Sequence, residues 1–350
     1  MAKRILVIGA GAVGGYVGGH LARDGHDVLM FDPWPEHVEA MRANGLALAG
    51  TTPEENFTVP VRALHMTELQ GLVRERPADI VLLCVKSYDT AWATEMVRDY
   101  LAPDGFVVSL QNCINEERIA GIVGWGRVVG CIAAKIVVEL EAPGRIRRNV
   151  AKGGASHTVF RIGEVHGRIT PRIQEVAGWL EAIDSVKVTT NLWGERWSKL
   201  VANAMANGIS AASGMSGPET MRETITRRLS IRVAGEAVVV GRALGFDLET
   251  INGFAPDDWV AAGSGDAATL DRVESSLLAG LDVRSDRARP SMGQDVLKGR
   301  RTEIDFINGH IVRKGEEVGI DAPANRGVTE AVRAIERGRL QPSLDVVRDL

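Results

Sequence analysis

Cysteine is scarce in this chain. Cys84, Cys113 and Cys131 are the only three among 350 residues. An odd, widely spaced set builds no disulfide framework and fits no zinc-ligand spacing. Each lies in or beside an apolar, strand-like run, so all three read as small buried thiols. No metal centre is expected, and a reducing cytoplasm is the expected compartment. An excess of charge of one sign is lacking too. Lys and Arg number 41 against 45 Asp and Glu, a net charge of -4, which excludes a general basic field for nucleic acid or an anionic membrane. No apolar run reaches the roughly 18 residues of a bilayer-spanning helix. Met1 to Arg4 lead straight into a strand pattern, so no secretory leader is expected. Repeats and low-complexity tracts are missing as well.

What is present is ordinary in bulk. Hydrophobic residues at 45% and charged residues at 25% fit a globular protein. A length of 350 residues exceeds one ordinary core and points to two domains.

Glycine is concentrated. "VIGAGAVGGYVGGH", residues 7–20, holds six in fourteen positions, between a strand pattern (Arg4 to Ile8) and a helix pattern (Val13 to Arg23). Gly9, Gly11 and Gly14 form G-x-G-x-x-G, with Ala12 and Val13 in the gap. The first glycine serves a tight turn and the second lets backbone N–H groups approach a pyrophosphate. The third lets helix and strand pack closely. The context of a strand before, a helix after and a second strand beyond supports dinucleotide binding. Gly15, Gly18 and Gly19 fit close helix–sheet packing better than ligand contact. The second strand, Asp27 to Phe31, ends at Asp32. A carboxylate there accepts hydrogen bonds from both ribose hydroxyls of NAD and repels the 2′-phosphate of NADP. The plainer reading is an aspartate capping the turn before Pro33.

The first half alternates strands and helices: a helix over 35–45, a strand over 78–86, a helix over 90–101, a strand over 105–112 and an apolar β-branched run over 127–140. Strands buried on both faces between helices predict a parallel sheet with helices on both sides. "GRIRRN" and "TVFRIGEV" read as antiparallel strands, "ITPRIQEVAGWLEAI" as a helix and "VKVTTN" as a short strand. Beyond Leu192 the pattern is helical, with a loop at 261–269. The expected fold is α/β: an N-terminal dinucleotide-binding domain over 1–190 and a helical C-terminal domain over 191–350.

Three further clusters carry chemistry. Lys86 in "CVKSYDT" and Asn112 in "SLQNCINEE" sit at carboxyl ends of buried strands, the edge that faces the ligand crevice in such sheets. They also read as polar strand ends meeting water. "NLWGERWSKLVANAMANGISA" places Lys199, Asn203 and Asn207 at i, i+4 and i+8, one polar stripe on a mostly apolar helix. A lysine partly desolvated in a cleft can act as an acid/base group. An ordinary solvated face is the alternative. "RPSMGQDVLKGRRTEIDFING" supplies Ser291, Asp295 and Glu303, suited to binding a substrate carboxylate or hydroxyl and orienting the lysine, or to a plain helix surface.

Together these segments resemble the ketopantoate reductase family. The family's N-terminal G-x-G-x-x-G, "VK" and "LQN" strand ends, "W-x-K-L-x-x-N-x-x-x-N" helix and "SM-x-Q-D-x-x-x-x-R-x-TEID-x-ING" signature occur here in order. They fall at Gly9/Gly11/Gly14, Val85-Lys86, Leu110-Gln111-Asn112, Trp197 to Asn207 and Ser291 to Gly309. The resemblance implies an N-terminal Rossmann domain over 1–190 and an all-helical substrate and dimerisation domain over 191–350, in a reductase or dehydrogenase acting on CH–OH groups as a homodimer. It implies Lys199 as general acid, with Glu303 in the catalytic group, Lys86 and Asn112 at the nicotinamide end, and Asn203, Asn207 and Ser291 on the substrate. Three positions depart from the family pattern. Asp32 stands where a basic residue reads NADP, so NAD is expected. Cys113 replaces the glycine of "LQNG". The further asparagine falls near Gly217 and is absent, so the substrate is expected to be a 2-oxo/2-hydroxy acid or related alcohol/ketone pair, with 252–290 shaping room for a bulkier one. The other readings are a β-hydroxyacid dehydrogenase-like enzyme and a non-catalytic NAD sensor.

Overall fold

The computed structural model describes residues 3–279, 281 and 289–350. The chain divides into two compact units, Met1–Leu192 and Trp193–Leu350. The first contains twelve strands: β1 (Arg4–Ile8), β2 (Asp27–Phe31), β3 (Leu46–Ala49), β4 (Phe57–Val59), β5 (Arg62–Leu64), β6 (Ala78–Leu83), β7 (Leu101–Ser109), β8 (Val128–Ala133), β9 (Val138–Ala142), β10 (Arg145–Arg148), β11 (Phe160–Glu164) and β12 (Val186–Val188).

Eight of them form one sheet in the order β12-β11-β8-β7-β6-β1-β2-β5. From β5 to β8 every pairing is parallel, and β11 runs antiparallel to β8. Successive strands step outward from β1 in both directions, so the switch point lies between β1 and β6. Ligands of open α/β sheets bind at the carboxyl ends of the strands at such a point.

Period-two alternation divides the strand residues between two cores. Ile5, Val7, Val28, Met30, Ile80 and Leu82 join Tyr16, Val17 and Leu21 on one face. Leu6, Ile8, Leu29, Phe31, Val81 and Leu83 join Ala93, Val97 and Ile119 on the other.

A second sheet, in the order β4-β3-β10-β9, was not expected from the sequence. It explains the surplus glycines in the Ala12–Arg23 helix. A Cβ at Gly18 would meet Met30 Cε and Val7 Cγ2 of the large sheet, both at 2.9 Å. A Cβ at Gly15 would lie 2.5 Å from Ile146 Cδ1, and one at Gly19 would lie 2.9 Å from Leu48 Cδ1, both on the small sheet. The helix lies between two sheets, close to each.

The small sheet also divides the apolar β-branched run over 127–140 between two sheets. Lys135 and Val137 take positive φ of 57° and 36°, which no strand tolerates, and the run divides into β8 and β9. The helix expected over 90–101 ends at Arg98, and β7 begins at Leu101.

The second unit is helical among its described residues, apart from a lone bridge between Ile251 and Phe254. The loop expected over 261–269 is mostly helix. One helix runs to Gly263, and Asp266 caps the next at Ala267 by accepting from Thr269 N–H. Residues 280 and 282–288 of the 252–290 stretch lie outside the described residues. No described helix is long and apolar enough to cross a membrane.

His20 makes part of the first unit's stability pH-dependent. It is buried, edge-on to Tyr16 and Phe57 at 4.8 and 5.0 Å. Burial first, then the charges of Lys152, Arg23 and Arg148, lower its pKa from 6.5 to about 4. Below pH 6.5 the unfolded chain takes up a proton that the folded chain refuses. Folding stability from this group is therefore complete above 6.5 and lost as pH falls towards 4, by about 3 kcal/mol in all. Denaturant titrations between pH 7 and 4.5 should show this slope, and His20→Phe, which keeps the ring, should flatten it. An unchanged slope in the variant would assign the acid sensitivity elsewhere.

Candidate functional site

The glycine turn follows β1 at the switch point. Gly9 has φ of +92°, and a Cβ there would sit 2.9 Å from Val85 N. A Cβ on Gly14 would lie 2.1 Å from the Gly9 carbonyl oxygen and 2.9 Å from Cys84 Cβ. These two glycines are required by the protein itself. Gly11 differs, because a Cβ there meets nothing within 4 Å. Its neighbourhood is open, at the start of a helix with no side-chain cap and no acidic residue in its first turn. Uncapped first-turn N–H groups and the helix dipole favour an anion at that point. Ala12 and Val13 are the first helical residues there.

Asp32 continues β2 and is 8% exposed. Its Oδ1 accepts the Trp34 N–H at 3.0 Å. Burial raises its pKa, while the N–H groups of Trp34 and Ala10 act in the opposite sense. Asp32 therefore does cap the turn before the next helix, and it does so on the carboxyl edge beside the glycines.

Lys86 and Asn112 follow β6 and β7 on the same edge, both half-buried. The loops that carry them are tied together. Gln111 Nε2 donates to the Val85 carbonyl at 2.7 Å and to Thr90 Oγ1 at 2.8 Å. Asn115 Nδ2 donates to Ser87 Oγ at 3.1 Å and to the Asn112 carbonyl at 2.9 Å. Cys113 holds φ of +67°, the left-handed conformation that a glycine adopts without strain. None of the three cysteines forms a disulfide, and burial raises the Cys84 pKa, reinforced by Cys131.

In the second unit the Leu192–Ser213 helix carries the lysine. From Gly194 to Ser213 only Lys199, Ala202, Asn203 and Ala206 escape full burial. Their spacing is one helical stripe, so the lysine and Asn203 line a narrow strip rather than an ordinary solvated face. Asn207 is buried, unlike the other two members of the expected polar stripe. Its Oδ1 accepts from Ser291 Oγ and from Met292 N–H, each at 3.2 Å. It thereby fixes the start of the Ser291–Leu297 helix and orients the exposed Ser291 hydroxyl. Gly293 lets that helix approach, since a Cβ there would sit 2.7 Å from Ser210 Oγ.

Glu303 is 5% exposed and precedes the short Ile304–Phe306 turn, with its carbonyl accepting from Phe306 N–H. Much of the surrounding signature is scaffold. Thr302 Oγ1 accepts from Ile304 N–H. Asn308 Nδ2 donates to the Ala204 carbonyl and to Asn325 Oδ1. Asp295 is buried and its carbonyl accepts from Arg300 N–H. Near Gly217, where the further asparagine is absent, Ser216 and Glu219 form a capping box that starts the Gly217–Arg222 helix.

His37, Gln111, Asn115 and Asn308 were missed as supports from the sequence. Gln111 and Asn115 share a segment with Asn112 and Cys113, and no spacing in it marks them as supports. His37 bonds Ala10 and Gly144, which lie 27 and 107 residues away, and no local pattern marks such a residue.

The chain matches "Ketopantoate reductase PanE/ApbA" over residues 5–160 and "Ketopantoate reductase PanE/ApbA C terminal" over residues 191–336. It is 30% identical to a 2-dehydropantoate 2-reductase of Archaeoglobus fulgidus over 339 residues, which cover 96% of this chain and 99% of that protein. It is 28% identical to that of Pyrococcus horikoshii, covering 95% and 97%. Its structure is similar to a PanE/ApbA family ketopantoate reductase from Ralstonia eutropha, with a TM-score of 0.77, 29% identity and coverage of 96% and 99%. The fold is also that of a D-mandelate dehydrogenase, with a TM-score of 0.76 at 22% identity, covering 96% and 99%. With both halves matched in order and nearly the whole length aligned, the chain belongs to the ketopantoate reductase family, whose members are oxidoreductases acting on CH–OH groups.

Proposed function

We propose that this oxidoreductase uses NAD and moves a hydride between the nicotinamide and a 2-oxo/2-hydroxy acid or a related ketone and secondary alcohol. Asp32 is the observation that carries the reading. Its carboxyl group lies beside a glycine turn with open space at Gly11. There it accepts both ribose hydroxyls and repels a 2′-phosphate. The residues present fit the dinucleotide. The N–H groups of Ala12, Val13 and Gly14 take the pyrophosphate next to Gly11, and Lys86 and Asn112 line the nicotinamide end.

When bound, the dinucleotide supplies the hydride. Reduction leaves negative charge on the carbonyl oxygen, and the Lys199 ammonium donates the proton that neutralises it. In the oxidative direction the neutral amine removes the hydroxyl proton. Glu303 orients the lysine. Asn203 and the Ser291 hydroxyl, held by Asn207, bind the polar groups of the substrate.

Absorbance of the reduced nicotinamide tests both parts, with ketopantoate offered beside NADH or NADPH. Turnover with NADH at least about tenfold above NADPH is expected, the size of a single charge conflict. A preference for NADPH overturns the reading of Asp32. Failure with both, while NAD still binds, moves the chemistry to another alcohol, and activity on 3-hydroxy acids alone moves it to β-hydroxyacid dehydrogenation.

A further inference from the structure

On the same turn as Asp32 stands an aromatic ring. Trp34 lies two residues on and is 37% exposed. Its own N–H holds the Asp32 carboxylate at 3.0 Å, so the indole and the carboxylate belong to one fixed turn. The indole is not a loose surface ring. It stacks on the His37 imidazole at 5.9 Å between centroids, with 24° between planes. His37 is completely buried and anchored at both nitrogens. Gly144 N–H donates to Nδ1 at 2.8 Å, so the ring proton sits on Nε2, which donates to the Ala10 carbonyl at 2.9 Å. Ala10 lies inside the glycine turn, and its N–H donates to the Phe31 carbonyl, as does that of Gly9. The indole, the carboxylate and the phosphate turn therefore form one hydrogen-bonded assembly. The indole stacks on His37 and remains 37% exposed.

We propose that Trp34 is the stacking platform for the adenine ring of the cofactor, an inference that rests on the NAD reading above. The adenine is bonded to C1′ of the same ribose whose 2′ and 3′ hydroxyls meet Asp32. A ligand held by that carboxylate and by the glycine turn carries a flat π-system within a few ångströms of the Trp34 side chain. Stacking of a base on an aromatic side chain needs no particular hydrogen-bond pattern, so specificity is left to Asp32 while Trp34 supplies affinity. The preset turn lowers the ordering cost of that contact. The two halves of the dinucleotide then depend differently on this residue. The adenosine half leans on Trp34, and the nicotinamide half does not.

Calorimetric titration of the full chain and of Trp34→Ala with NAD, ADP-ribose and nicotinamide mononucleotide tests this. Trp34→Ala should weaken NAD and ADP-ribose alike, by about ten- to a hundredfold, and leave the mononucleotide unchanged. Trp34→Phe should retain most of the affinity, and ADP-ribose should quench less indole fluorescence in that variant. Circular dichroism of both variants checks that the exposed position has not perturbed folding. Unchanged ADP-ribose affinity in Trp34→Ala, with tight binding to the parent chain, overturns the platform and leaves the NAD reading standing. An equal loss for the mononucleotide also overturns it, by pointing to a general effect on the edge. Failure of the parent chain to bind ADP-ribose or NAD at all would remove the NAD reading and this inference together.

Discussion

Replacing Lys199 by alanine is expected to lower turnover by about a hundredfold or more while NAD binds as before. A positioned acid or base contributes roughly 10²–10⁴ in rate. Lys199 stands in a strip where every other open position is alanine or asparagine, so no other titratable side chain on that strip can take over its proton. Alanine is the best helix former and Lys199 is only half-buried, so the helix should survive the change. The glycine turn belongs to the other unit, which folds around its own two cores. Both kcat and kcat/KM should fall together, as when an interaction made only in the transition state is removed. Lys199→Arg sharpens the test, because arginine keeps the charge but does not release its proton near neutral pH. If the role is proton transfer, arginine should rescue little, whereas rescue to near the parent rate would make Lys199 an electrostatic anchor. Loss of NAD affinity in step with activity would sink the acid/base assignment.

Local patterns carried more of this site than of the fold around it. The spacing of Gly9 and Gly14 was legible because the turn and the close helix–strand contact each require a small residue within six positions. Strands β1, β2 and β6 were legible as near-continuous apolar runs because both faces of the large sheet are buried. The polar stripe on the lysine helix was legible from its period, although burial at Asn207 was not. Period locates a face, but what packs against that face comes from elsewhere in the chain. The second sheet escaped notice for the same reason. Its strands are three to five residues long, and β10 pairs with β3 across about a hundred residues. Short strands joined by distant pairing leave little signal in any local window. That hidden sheet is also why the Ala12–Arg23 helix spends glycine beyond the fingerprint itself.

The glycines make the second large prediction, in which two neighbouring substitutions should fail in opposite ways. Gly11→Val should leave the chain folded and lower NAD affinity by more than about a hundredfold. Gly11 has φ of -63° and ψ of -156°, extended backbone without a positive φ, and its Cβ position is open. The added methyl groups would fill the space that the pyrophosphate needs, and the ligand loses its backbone contacts with the helix start. Gly14→Ala adds a single carbon, yet it should cost at least about 3 kcal/mol of stability. Its Cβ would sit 2.1 Å from the Gly9 carbonyl oxygen, a backbone atom that cannot swing aside as a flexible side chain would. Denaturant midpoints and calorimetric NAD titration, run on both variants, separate the two roles. A Gly11→Val chain that binds NAD normally would mean that this turn is not the cofactor cradle. A Gly14→Ala chain with parent-like stability would mean that the turn relaxes more easily than its contacts require. The contrast follows from what each missing side chain would have met: at Gly14 the protein's own backbone, and at Gly11 open space suited to a ligand.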